Sequence, residues 1–158
     1  MLFDLVFISF YQMFLLLGLA APVFVAAAVD TSLRPLDITI ATTFLALVII
    51  ETVADNQQED FQNTKKQLIR DGQESVSPFK AGFITWGLFS ISRHPNYVAE
   101  QLLWVIFYLF SVSAAGSLVN ITLTGPLLLI LLFQGSTALS ESITASKYPA
   151  YAKYKTIV

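Results

Sequence analysis

Between Gln101 and Ser140 the chain runs for 40 residues without a charged side chain, and between Leu5 and Val29 it does so for 25. No other feature narrows the possible folds as much. A helix crossing the hydrocarbon core of a bilayer needs about 20 apolar residues, and a buried helix of a soluble domain seldom sustains that length. Inside lipid every backbone N–H and C=O must find its partner within the segment, so a helix is the expected form. Only 13% of the 158 residues are charged, against 55% hydrophobic, which is too little polarity to clothe a soluble domain. The first run does not read as a signal peptide, because Asp4 rather than a basic segment precedes it and it is too long for a signal core.

The pattern predicts an all-α, polytopic helical membrane protein, a single transmembrane domain over 1–158 with spans near 5–29, 36–54, 95–115 and 119–140. Asp30 and the Arg34-Pro35 turn end the first span. The second carries Glu51 and Asp55 at its far end and continues as a polar helix to Gly72, a helix-stopping residue. Pro78 and Gly82 break the loop that follows, and Phe83, Trp86 and Phe89 form a mixture suited to the headgroup zone. Pro95 opens the third span, where its missing N–H costs nothing.

With this arrangement Lys65, Lys66, Arg70, Lys80, Arg93, Lys147, Lys153 and Lys155 share one side, and Arg34 alone lies opposite. The positive-inside rule makes the basic side cytoplasmic, or its organellar equivalent, with the tail on that side. A sequon at Asn120-Ile121-Thr122 falls opposite, too near the bilayer to carry weight. The chain has no cysteine and one histidine, so neither disulfide chemistry nor a metal site is expected. A net charge of −2 gives no reason to expect nucleic acid.

Chemistry concentrates at the mouths of two spans. If Pro95 starts a helix, Arg93, Asn96, Tyr97 and Glu100 share a face. The helix start offers unpaired N–H groups to an anion, and Arg93 adds a planar fork suited to phosphate. Glu100 lies deeper, where a carboxylate must pair or face a wet cavity. Glu51 and Asp55 stand one turn apart and repel each other unless hydroxyls, amides or cations intervene. Ribose hydroxyls of a nucleotide would satisfy them. So would an inter-helix ion-pair network with no ligand.

The strings Gly87-Leu88-Phe89, Ser92-Arg93-His94-Pro95-Asn96-Tyr97 and Glu100, with Glu51-Thr-Val-Ala-Asp55-Asn-Gln-Gln upstream, resemble the motifs of the steroid 5-alpha-reductase-like membrane family. Gly135 to Glu141 and the tail Tyr148-Pro149-Ala-Tyr151-Ala-Lys-Tyr154 resemble its C-terminal motifs. The resemblance implies a helical bundle that binds NADPH and reduces a carbon–carbon double bond in a steroid- or lipid-like substrate. By that resemblance Asp55, Asn96 and Glu100 match cofactor-binding positions, and Glu51 matches a polar cofactor ligand. Arg93 would meet phosphate, Tyr97 would line the nicotinamide pocket, and Tyr151 and Tyr154 would close over the cofactor. Gln62 stands where sterol-type members carry an arginine, which leaves Lys65 or Lys66 to hold the 2′-phosphate.

Family members normally carry further membrane helices ahead of this region, with the substrate pocket and its proton donors there. The resemblance therefore identifies the cofactor half and leaves the catalytic residues unknown. Two other readings stand beside it. One is a non-catalytic membrane subunit that retains the fold, with other subunits supplying the missing half. The other is an isoprenylcysteine-type methyltransferase, which shares an Arg-His-Pro-x-Tyr signature but does not need Asn96.

Overall fold

The computed structural model describes residues 9–29, 32–73 and 76–158. It is all-helical, with no strand among the described residues. Among the described residues five α-helices follow in order: α1 Gln12–Ala27, α2 Pro35–Arg70, α3 Pro95–Ala115, α4 Thr124–Lys147 and the short α5 Tyr151–Ile157. Among the described residues four segments are long and apolar enough to cross a membrane, namely Ser9–Ala27, Pro35–Arg70, Pro95–Ala115 and Ile121–Lys147. The start of the first expected span, together with Asp4, Asp30 and Glu74, lies outside the described residues.

The second span and the polar helix read after it form one uninterrupted α2 of 36 residues, since no glycine or proline interrupts the pattern. One boundary differs from the sequence reading. The fourth helix begins at Thr124, after a 3-10 turn at Ile121–Leu123, and continues to Lys147. That turn is fixed by Asn120, whose Oδ1 accepts from the Thr122 amide at 3.0 Å and its hydroxyl at 2.6 Å. Gly72 ends α2 as expected. It adopts φ 70°, and the amides of Gly72 and Gln73 reach back to the carbonyls of Ile69 and Leu68.

The chain divides into two compact units. The first comprises 1–48 and 100–134. Its core joins Leu15 and Leu19 of α1 to Leu129 of α4, with Tyr11, Trp104 and Phe133 packed around them. α1 and α4 meet through glycine: a Cβ on Gly125 would lie 2.4 Å from the Gly18 carbonyl carbon. Close approach of this kind is how helices pack where lipid removes the hydrophobic drive. The start of α2 is tied by Asp37, which accepts from the Arg34 amide at 2.8 Å and from the Ser113 hydroxyl at 2.6 Å.

The second unit comprises 49–99 and 135–158. Its core is Ala54 and Phe61 of α2 against Ile84 and Phe89, with Phe79, Trp86 and Leu88 around them. Phe61 stacks on Phe79 at 5.4 Å and meets the edge of Trp86 at 5.3 Å. The rings of 83–91 pack within the protein: Trp86 and Phe89 join Phe61 of α2, and Phe83 packs on Tyr151 and Tyr154.

Candidate functional site

A cavity of about 230 Å3 lies within the second unit. α2 contributes Gln58, the connecting segment Phe83, Ile84 and Phe89, and the entry to α3 contributes Arg93, His94, Asn96 and Tyr97. Ser140 and Thr144 of α4 and Tyr151 and Tyr154 of α5 complete the wall. Each element is held by local chemistry. Gly87 takes φ 62°, and a Cβ there would meet the Gln57 side chain at 2.3 Å. Gln57 Oε1 instead accepts from the Leu88 amide at 2.9 Å, capping the 3-10 turn Gly87–Ser90. The glycine of the Gly87-Leu88-Phe89 string is therefore required by both its backbone angle and this close approach.

The tail is anchored by its tyrosines. Tyr151 and Tyr154 are buried, and both pack on Phe83, at 5.0 and 5.3 Å. The Tyr154 hydroxyl donates to the Phe89 carbonyl. Burial pushes the Tyr151 phenol up to about 12, aided by the negative Glu141 nearby, and raises Tyr154 for the same principal reason. Both rings stay protonated at any physiological pH.

One charged cluster forms a side of the site. Glu141, 6% exposed, accepts from Arg93 Nε at 2.6 Å and pairs with Lys155 Nζ at 2.7 Å. His94 Nε2 approaches the same carboxylate at 3.4 Å. His94 stacks on Tyr97 with ring centres 5.1 Å apart. Its pKa lies below the ordinary value, because burial disfavours the imidazolium more than Glu141 favours it.

The residues expected to bind a cofactor are distributed as follows. Arg93, Asn96, Tyr97, Tyr151 and Tyr154 all line the cavity. Asp55 is joined to them, since its Oδ1 accepts from Asn96 Nδ2 at 2.9 Å. Glu51 stands one turn earlier on α2 and is half-buried. Glu100 belongs to the first unit, where its Oε1 accepts from the Trp104 indole at 2.8 Å. Arg93 faces the cavity but already holds Glu141, so an incoming phosphate would share it with that carboxylate.

Two further residues carry a signal that the sequence pattern hid. Gln58 Oε1 and His94 Nε2 are buried and lack a hydrogen-bond partner, and both residues line this cavity. Buried polar atoms are nearly always satisfied, and both of these are closed off from solvent within the residues that form the cavity wall. Gln58 was visible only as the last residue of a polar string, and His94 read as a helix cap.

A second cleft, of about 470 Å3, adjoins along α2, where Gln62 follows Gln58 by one turn. Lys65, Lys66, Lys80 and Lys147 line it with Phe79 and Tyr148. Lys65 is already engaged, donating to the Gly82 carbonyl at 2.6 Å and to the Tyr148 hydroxyl at 2.7 Å. That ammonium holds the Tyr148 phenol below its ordinary pKa. Lys66 and Lys80 are exposed, with no ion pair among the described residues. Among the described residues no cluster of histidine and carboxylates has the makings of a metal site.

No solved structure matches the chain. An uncharacterised protein of Schizosaccharomyces pombe, C594.04c, is 37% identical to it over 164 residues, covering 98% of this chain. The chain spans about half that relative's length, 47%. A protein-family profile described as a protein of unknown function, DUF1295, matches residues 1–158 throughout. The chain belongs to the DUF1295 family.

Proposed function

We propose that this chain is the cofactor-binding part of an NADPH-dependent membrane oxidoreductase of the steroid 5-alpha-reductase-like type, acting on a carbon–carbon double bond of a steroid- or lipid-like substrate. The observation that carries the reading is the cavity of the second unit. Arg93, Asn96, Tyr97, Tyr151 and Tyr154 converge on it. Its size suits one ring and its sugar rather than a whole dinucleotide. The adjoining lysine cleft offers cations to the phosphate-bearing end. Lys66 and Lys80 take the 2′-phosphate, because Lys65 is committed to Gly82 and Tyr148.

When bound, the dinucleotide supplies a hydride. The protein's contribution is positional. Tyr97, Tyr151 and Tyr154 present flat aromatic surfaces to a planar ring, and the burial of Tyr151 and Tyr154 excludes water from it. Asp55 fixes the Asn96 amide at the rim and remains free to accept from a sugar hydroxyl through its second oxygen. The basic loop and tail face the cytoplasm, or its equivalent, where the nucleotide is available.

Titration of detergent-solubilised protein into NADPH, followed by nucleotide fluorescence, tests this. Saturable binding is expected, weakened about tenfold by Asn96→Ala, which removes a polar contact in a largely dry site. Absence of any saturable change with folded protein sinks the reading. Binding of S-adenosylmethionine in its place moves the assignment to a membrane methyltransferase.

A further inference from the structure

Glu141 does not line the cavity, yet it holds two elements that do. From α4 its buried carboxylate accepts from Arg93 Nε, at the entry to α3, through one oxygen at 2.6 Å. The other oxygen pairs with Lys155 Nζ of α5 at 2.7 Å. Arg93 Nη1 reaches on to the Lys155 carbonyl at 3.4 Å, so the guanidinium bridges the carboxylate and the α5 backbone. α5 has only seven residues, and a helix that short does not persist alone in water; its order comes from docking. The other docking contacts are the rings of Tyr151 and Tyr154, which form its part of the cavity wall. A buried carboxylate shared by two cations adds little net stability over apolar packing, so what it contributes is the geometry it fixes.

We propose that Glu141 is a positioning residue of the site: it clamps α5 onto the entry to α3, so that one carboxylate sets both the tyrosine wall and the plane of the Arg93 guanidinium. Two cations share one anion there, so the clamp keeps a net positive charge beside the cavity for an anionic ligand. Lys155 then matters to the site without touching it, because removing its cation frees α5 and the two rings that α5 carries. By linkage, a ligand that packs against those rings must in turn hold α5 down. The consequence for the nucleotide rests on the cofactor reading above; the clamp itself does not.

Hydrogen exchange of the detergent-solubilised full chain tests this, read by mass spectrometry on peptides from α5 and from α2, with and without NADPH. Lys155→Met is expected to speed exchange of the α5 amides about tenfold while leaving segment 55–65 of α2 unchanged. Lys155→Arg keeps the cation and the protection, and Lys153→Met, at an exposed position of the same helix, behaves as wild type. Glu141→Gln loosens α5 at least as much, and adding Lys155→Met to it changes nothing further. In wild type NADPH slows α5 exchange, and Lys155→Met weakens its binding about tenfold although Lys155 lies outside the cavity wall. Unchanged α5 exchange in both Lys155→Met and Glu141→Gln overturns the clamp. So does acceleration spread equally into α2, which reports a general loss of the fold. A loosened α5 with NADPH affinity unchanged overturns the positioning role and leaves the cofactor reading intact. Failure of wild type to bind NADPH overturns the cofactor reading, while α5 exchange in the variants still decides the clamp.

Discussion

His94 shows how one residue can look ordinary in sequence and decisive in place. Before a proline it reads as a helix cap, yet its ring lies half-buried between Tyr97 and the Glu141 carboxylate. Burial lowers its pKa from the ordinary 6.5, so the unfolded state binds more protons than the folded one as the medium acidifies. The resulting stability is fully present above about pH 6.5 and is lost as pH falls through the lowered folded value. The melting temperature of the solubilised protein should therefore decline from pH 7 towards about pH 5.5. His94→Gln should flatten that decline, and an identical slope in the variant would contradict this account. Arg93 carries a complementary lesson. Its fork was legible as an anion group, but the sequence held no sign that the buried Glu141, 48 positions away, already occupies it. Spacing along a helix finds neighbours within one element and is blind to pairs that only packing creates.

At the scale of elements, the punctuation of the chain was readable and the destination of its aromatic rings was not. Gly72 and Pro95 end α2 and open α3 where backbone chemistry requires. Phe83, Trp86 and Phe89 could equally meet lipid headgroups or one another, since composition alone does not separate an interface belt from a core. The helix crossing in the first unit makes a sharper test of packing. A Cβ on Gly125 would lie 2.4 Å from backbone atoms of α1, so Gly125→Leu should destabilise by about 2 kcal/mol or more. Gly135 lies within the same α4 with nothing inside 4 Å of its would-be Cβ. Gly135→Ala should be neutral or stabilising, by about 0.5 kcal/mol. Unfolding in graded denaturing detergent compares the two, and similar losses would show that the crossing does not govern stability.

For the whole molecule, the all-helical membrane architecture was legible because uncharged runs longer than a bilayer leave few alternatives. Its division into two units was not, since each of α2, α3 and α4 passes from one unit to the other with no linker or shift in composition to mark the boundary. The absence of cysteine makes the transmembrane topology directly testable. Single cysteines at Ser117, Gly72 and Ala152 report on the α3–α4 connection, the α2–α3 connection and the tail. A membrane-impermeant maleimide applied to sealed vesicles should label Gly72→Cys and Ala152→Cys from one face and Ser117→Cys from the other. Labelling of all three from one face would overturn the crossings by α3 and α4.

α2 has a consequence of its own. At 36 residues it is about 54 Å long, against about 30 Å of hydrocarbon, so it works as a ruler as much as an anchor. Within the second unit, Asp55, Gln58 and Lys65 are graduations on it at fixed heights and bearings from one another. One residue inserted between Asp55 and Gln58 would turn Gln58 and Lys65 by about 100° about the axis relative to Asp55 and raise them by about 1.5 Å. Such an insertion leaves composition, hydropathy and helix propensity almost untouched, yet should abolish nucleotide binding, whereas four inserted residues return the bearing to within about 40° and should restore part of it.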